Sequence, residues 1–254
     1  MLNIPAYLAR IHYNGPTTPS PETLRDLHRA HMFTVPFENL DIHLGRPILC
    51  DESRFLHKIV HEHRGGFCYE LNGAFAALLR ASGFEVTLLS ARVSRADGSA
   101  SPEFDHLALR VDIPGSNSPW LADVGFGDSF LEPLQLQPNL EQPQIGRVYR
   151  ITEIEGALHM QVKADHTWKS QYSFTPLPRH LSDFAPMCHY HQTSPDSHFT
   201  RQRICSLATR KGRITLSDFK LIETHHGKRD ERALPGEQQW RATLKELFQI
   251  DLPA

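Results

Sequence analysis

The chain has no surplus of either charge. Its 27 Lys and Arg stand against 29 Asp and Glu, a formal net charge of −2. Binding to a phosphate backbone needs clustered cations, so a nucleic-acid partner is not expected. Long apolar runs are also missing. The longest, such as Ala74 to Leu79, last a few residues and fall far short of the roughly 20 needed to cross a bilayer. The start, Met1-Leu2-Asn3-Ile4-Pro5, lacks the charged lead and apolar core of a secretory signal, so the expectation is a cytoplasmic protein without membrane partners. Cysteine is scarce: Cys50, Cys68, Cys188 and Cys205 form no CxxC pair and no disulfide framework. In a reducing compartment all four should be free thiols, mostly packed as small hydrophobes. Histidine is plentiful, but His61 with His63, Cys188-His189-Tyr190-His191 and His225-His226 lack the paired spacing of a structural zinc site. No metal is expected.

What is there begins with helices. Asn3 before Pro5, Ser20 before Pro21, and Asp51 each offer a capping oxygen at a helix start. Leu24, Leu27 and His31 share one face; Phe55, Ile59 and Val60 share another. After Cys68, Leu71, Phe75, Leu78 and Leu79 make a buried stripe that Gly83 should close. At Phe84 the pattern changes to strands: Val86–Val93, Phe104–Ile113, Trp120–Val124, Val148–Ile154, Leu158–Val162 and Trp168–Phe174. Leu134 to Gly146, rich in Gln and Pro, reads as a long loop. The last third is mixed. Phe199–Leu207 is ambiguous, Arg213–Leu216 and Phe219–Thr224 look paired, and Gln238–Phe248 forms an amphipathic helix with Trp240 and Leu244 on its apolar face. Helices, then strands, then a mixed end indicate an α+β fold of two or three subdomains.

The chemistry concentrates at Arg64-Gly65-Gly66-Phe67-Cys68-Tyr69-Glu70-Leu71-Asn72. Two glycines lead into a thiol at a helix N-terminus, where the dipole favours the thiolate, the attacking form. Downstream, His106 and Asp123 lie on two strands joined by the turn-rich Pro114–Ser118. Opposing Ile113 to Pro119 brings the two side chains near each other, although that register leaves open whether they share a face. Cys68 is the candidate nucleophile, His106 the base, Asp123 the group that orients the base, and the Cys68 backbone amide an oxyanion donor.

The segment Arg64–Asn72 resembles the active-site cysteine motif of the arylamine N-acetyltransferases. Val35-Pro36-Phe37-Glu38-Asn39-Leu40-Asp41, Leu121-Ala122-Asp123-Val124-Gly125-Phe126-Gly127, and Thr193–Thr200 with Cys205-Ser206-Leu207 resemble three further blocks, in the family order. The resemblance implies an α+β fold made of an N-terminal helical bundle (1–84) carrying the cysteine, a central β-barrel (85–190) carrying histidine and aspartate, and a C-terminal α/β lid (191–254). It also implies a papain-like Cys-His-Asp arrangement. The activity implied is ping-pong transfer of acetyl from acetyl-CoA, a co-substrate and not a bound cofactor, through a Cys68 thioester. The acceptors would be arylamines, arylhydrazines or N-hydroxyarylamines. By motif matching, Phe37, Val93 and Phe126 line the acceptor pocket. Gly125, Gly127 and Phe199 are candidates for cofactor contact, and Arg64, Glu38 and Asn72 form a buried polar support. Many relatives continue beyond the position of Ala254, so a more open cleft is expected. A cysteine hydrolase or transglutaminase-like enzyme is the rival reading of the same three residues. The oligomeric state is not legible.

Overall fold

A computed structural model describes residues 3–252. The helical third starts where the capping residues point. Asn3 Oδ1 accepts from the Ala6 amide at 3.1 Å and opens α1 (Ile4–Arg10); Ser20 Oγ accepts from Thr23 at 3.1 Å and opens α2 (Pro21–Thr34). The two-residue β1 (Phe37–Glu38) and the single turn α3 (Leu40–His43) follow. Asp51 caps α4 (Glu52–Leu56), which widens into a π-helical turn over His57–His61 that carries Lys58, Ile59 and Val60 inward. The central element is α5 (Cys68–Ala81), buried from Cys68 through Leu79 and followed by Gly83 at φ +93.

The next strands are β2 (Glu85–Val93), β3 (His106–Asp112), β4 (Trp120–Ala122), β5 (Leu134–Gln135), β6 (Gln142–Gln144), β7 (Arg147–Ile154), β8 (Ala157–Ala164) and β9 (Thr167–Phe174). They form one sheet in the order β5-β4-β3-β2-β9-β8-β7-β6, curled into a nearly closed barrel. The period of two on β3 divides its side chains between two cores. Leu107, Leu109 and Val111 join the core around α5, while Ala108 joins Leu89, Leu121, Ile151 and Met160 inside the barrel.

The Gln- and Pro-rich segment is a correction. In place of a long loop it supplies β5 and β6, and its glutamines bridge the barrel's two end strands. Gln142 Oε1 accepts from Gln135 N at 2.8 Å and its Nε2 donates to Gln135 O at 3.1 Å. Gln144 does the same with Leu131 N and Glu132 O. Short strands with proline between them carry no periodic signal, so the closure was not readable from hydropathy.

The ambiguous stretch divides into α7 (His198–Arg201) and β10 (Ile204–Thr209), preceded by α6 (Ala185–Thr193). Then come β11 (Gly212–Ser217), β12 (Lys220–His225), β13 (Lys228–Ala233) and α8 (Glu237–Phe248). The strand β13 was not expected: Lys-Arg-Asp-Glu-Arg-Ala is exposed throughout and is held by its hairpin register with β12. A second sheet runs β1-β10-β11-β12-β13, so Phe37 and Glu38 from the helical third pair with Ser206 and Cys205. Trp240, Leu244 and Phe248 of α8 pack against Cys205 and Leu216. No helix among the described residues is long and apolar enough to cross a membrane.

Candidate active site

The two motifs flanking the helical core meet along their backbones. Glu38 N donates to Gly66 O at 2.9 Å, and Gly66 N donates to Pro36 O at 3.4 Å. A Cβ on Gly65 would lie 1.9 Å from Pro36 O, so this approach requires glycine. The chain then turns into α5, whose first residue is Cys68. Glu70 accepts from the Phe67 amide at 3.1 Å and fixes that start.

From the opposite side the barrel delivers His106 and Asp123. The register pairs Val111 with Trp120 and Leu109 with Ala122, one residue away from the expected opposition of Ile113 and Pro119. That single step decides the parity: His106 and Asp123 fall on one face of the β3–β4 ladder, together with Ala108 and Leu121. His106 Nε2 meets Asp123 Oδ2 at 2.7 Å. The ring also acts on the Cys68 thiol, whose pKa it pulls down against the effect of burial.

Asp123 is tightly held. Its Oδ1 accepts from Asn72 Nδ2 at 2.8 Å and Gly125 N at 3.0 Å. Asn72, one turn along α5 from Cys68, also donates to Leu107 O at 2.6 Å and accepts from Val124 N at 2.9 Å. A Cβ on Gly125 would lie 2.8 Å from both Cys68 Cα and Asn72 Nδ2, so this glycine lets the aspartate loop close onto the helix. His28 accepts from the Asp123 amide at 3.2 Å and bonds Leu131 O at 2.9 Å. Burial lowers the His28 pKa to about 4, so it works as a neutral bridge. Nothing in its α2 sequence context marks it, because its partners lie about a hundred residues away.

Burial opposes charge on His106, but the Asp123 carboxylate outweighs it and raises the pKa to about 10. For Asp123 burial likewise favours the neutral acid, and His106 with the Asn72 and Gly125 donors overcomes it and lowers the pKa. Burial pushes the Cys68 thiol up; the hydrogen bond and charge of His106 pull it back, with help from the Leu107 backbone N–H. The helix N-terminus acts in the same direction as His106.

Cys68 and His106 border a cavity of about 320 Å³, and Asp123 is buried behind His106. Phe37, Val93, Phe126 and Phe199 line it, as do Gly125 and Gly127. Phe126 meets the His106 ring at 5.1 Å and near-perpendicular, while Phe37 and Phe199 lie 6.1 Å apart on the helical and lid side.

The support residues divide. Asn72 belongs with Asp123, not with Arg64 and Glu38. Those two sit in a separate buried ion cluster that the sequence reading missed in part. Arg64 pairs with Glu38 at 2.8 Å and Asp41 at 3.1 Å; Lys58 pairs with Asp41 and Glu70 at 2.8 Å and with Glu38 at 3.7 Å. Burial raises Glu70, the nearby Glu38 raises it further, and Lys58 only partly offsets them, leaving a pKa of about 7. Arg10 ties this segment to α2 by donating to Thr34 O, Ile59 O and the carbonyls of His63 and Arg64. Among the described residues no group of three or more His, Cys, Asp or Glu is placed to hold a metal ion.

A thiol–imidazole–carboxylate set beside an aromatic-lined cavity, on a helix-plus-barrel frame, is the outline of a thiol-dependent transferase or hydrolase. A sequence profile described as N-acetyltransferase matches residues 20–254. An arylamine N-acetyltransferase / N-hydroxyarylamine O-acetyltransferase of Salmonella typhimurium is 35% identical over 87% of this chain and 79% of its own length. Among solved structures, arylamine N-acetyltransferase from M. tuberculosis superposes with a TM-score of 0.92 at 33% identity, over 98% of this chain and 94% of that one. The Mycobacterium marinum enzyme in complex with CoA superposes at 0.91 with 31% identity, over 98% and 93%. The chain belongs to the arylamine N-acetyltransferase family.

Proposed function

We propose that this protein is an acetyl-CoA:arylamine N-acetyltransferase working through Cys68, His106 and Asp123. The observation that carries the reading is His106 itself. It is buried, bonded through Nε2 to a fixed carboxylate, and shares the cavity wall with the Cys68 thiol, whose proton affinity it lowers. In the first half-reaction the Cys68 proton passes to His106 and the sulfur attacks the acetyl carbonyl. The oxyanion forms against backbone N–H groups at the start of α5, CoA leaves as its thiol with the proton from His106, and acetyl remains on Cys68. Exchange between two thioesters is nearly balanced in free energy, so loading is reversible. In the second half-reaction an amine attacks the thioester, His106 takes its proton, and Cys68 is released as the thiol–imidazole pair. The amide product is more stable than the thioester, which drives the transfer.

The acceptor class follows from the walls. Phe37, Phe126 and Phe199 present ring faces and edges suited to a flat aryl group, with the amine directed at Cys68. Arylamines, arylhydrazines and N-hydroxyarylamines share that shape. The free thiols suit a reducing compartment, and we read the enzyme as cytoplasmic.

Intact-mass measurement after acetyl-CoA is added without acceptor tests the reading. One acetyl group should appear, map to Cys68, and disappear when an arylamine is added. The Cys68→Ser protein should stay folded, take no acetyl and turn nothing over; a normal rate from it would overturn the mechanism.

A further inference from the structure

The aromatic wall of the reaction cavity is interrupted by a few titratable groups, and their charges do not all cancel. The charge of His106 is answered by Asp123 behind it. Burial and the neighbouring His191 lower the pKa of His198, so it adds no cation. Asp128 reaches the cavity, but its oxygens are taken by guanidinium groups outside the lining: Oδ2 pairs with Arg147 at 2.8 Å and Oδ1 with Arg213 at 3.4 Å. Asp105 remains. No Lys or Arg is among the lining residues, and the one ion-pair partner of Asp105 among the described residues is His191, Nε2 to Oδ1 at 3.2 Å.

Two sets of contacts fix where this carboxylate stands. Tyr69, the residue after Cys68, donates its hydroxyl to Phe104 O at 2.8 Å and to Asp105 O at 3.2 Å, which ties the backbone of Asp105 to the start of α5. His191 of α6 is buried, and its Nδ1 lies 3.3 Å from Oγ of Ser197, the residue that caps α7. Burial favours the neutral acid at Asp105; His191, Ser101 and the charge of His106 outweigh it and hold the pKa below its ordinary value. The carboxylate is therefore ionised at neutral pH, and 18% of its side chain stays exposed. An arginine partner would cancel that charge at every working pH, whereas an imidazole does so only when protonated.

We propose that Asp105 selects the acceptor by charge, favouring arylamines whose ring carries a cationic group and rejecting those that carry a carboxylate. The inference rests on the acetyltransferase reading above and narrows its acceptor class. In a cavity walled by phenylalanines little water or salt screens the carboxylate, so its field reaches a ring substituent several ångströms away. The phenylalanine faces act in the same direction, because a ring face attracts a cation and not an anion. Asp105 takes no part in the proton transfers; it sets which acceptor arrives.

Three acceptors with one aniline nitrogen each test it: 4-(trimethylammoniomethyl)aniline is cationic at neutral pH, 4-aminobenzamide neutral and 4-aminobenzoate anionic. In a ping-pong reaction kcat/KM for the acceptor reports the second half-reaction alone. The variant is Asp105→Asn, which keeps the shape and removes the charge. Intrinsic nucleophilicity and size differ among the acceptors but are common to both proteins, so they cancel in the comparison. The ratio of kcat/KM for the cation to that for the anion should be at least about tenfold lower in Asp105→Asn than in the unaltered protein, with the neutral acceptor falling between. The unaltered protein gives a second reading that needs no variant. As competitors of 4-aminobenzamide, benzamidine should bind best, benzamide less well and benzoate worst. A ratio that Asp105→Asn leaves unchanged overturns the proposal, as does benzoate competing as well as benzamidine. If none of the three acceptors removes acetyl from Cys68, the acetyltransferase reading falls and this inference with it; if the neutral one does and charge makes no difference, only the inference falls.

Discussion

The first turn of α5 carries two buried polar assemblies on its opposite faces. Cys68 and Asn72 point to the barrel and join His106 and Asp123; Glu70 points to the helical side and joins Lys58, Arg64, Glu38 and Asp41. Both are desolvated and both draw on residues far apart in the chain. They differ in how they end. In the ion cluster Lys58 and Arg64 are each answered by two or three carboxylates, and apart from the cavity beside Asp41, Lys58 and Glu70, where Asp41 also meets the half-exposed Arg46 at 3.9 Å, it faces packed protein. The barrel-side set ends in a thiol on the wall of the aromatic cavity. Buried ionic groups give little net stability when whole and cost several kcal/mol when one partner is removed. A closed cluster can therefore serve geometry, and an open one can serve chemistry, at similar energetic cost.

The difference can be broken from either side. The largest effect should follow Asp123→Asn, which removes the charge that raises His106. The kcat for arylamine acetylation should fall by about 10³ to 10⁴ in the folded protein, and activity close to normal would show that the carboxylate is only structural. Next comes Lys58→Met, which leaves carboxylates buried without their shared cation. Urea unfolding should show a loss of about 3 kcal/mol or more, while kcat of the folded fraction holds within a small factor. A collapse of kcat at intact stability would erase the distinction drawn here.

The smallest effect is in pH dependence, where the two assemblies should occupy different windows. The folded Glu70 pKa is raised from 4.5 to about 7, so its contribution to stability is complete below 4.5 and is lost as pH rises through 7. The folded His106 pKa is raised from 6.5 to about 10, so its contribution is complete below 6.5 and is lost as pH rises through 10. Unfolding free energies measured across pH 4 to 10 should show Glu70→Gln removing the lower slope and leaving the upper one. A variant with the same pH profile as the unaltered protein would mean that Glu70 titrates normally.

The sequence made some of this legible and concealed the rest for physical reasons. Cys68 was visible because a Gly-Gly approach and a helical stripe are local signals. Asp123 and His106 were visible as residues, but their shared face depended on a one-residue register that hydropathy does not encode. The α+β order and most strands followed from period and turn residues. The strands β5 and β6 did not, because side-chain amides do what a backbone ladder usually does, and β13 did not, because a fully exposed edge strand has no apolar face to announce it. Lys58, Glu70 and His28 escaped because a charged or imidazole side chain in an amphipathic helix reads as surface until its distant partners are known.

The glutamine bridges that close the barrel have one more consequence. Amides neither gain nor lose protons across the pH range in which Glu70 and His106 titrate, so the seam does not respond to the changes that act on both faces of α5. The joint is made by five side-chain hydrogen bonds from Gln142 and Gln144 to Gln135, Leu131 and Glu132, and the stretch between Gln135 and Gln142 is tied down separately, Leu136 N to Pro119 O at 2.9 Å and Asn139 N to Ile151 O at 2.7 Å. The barrel's circumference, and with it the position of His106 opposite Cys68, therefore rests on contacts whose strength is the same at pH 4 and at pH 10.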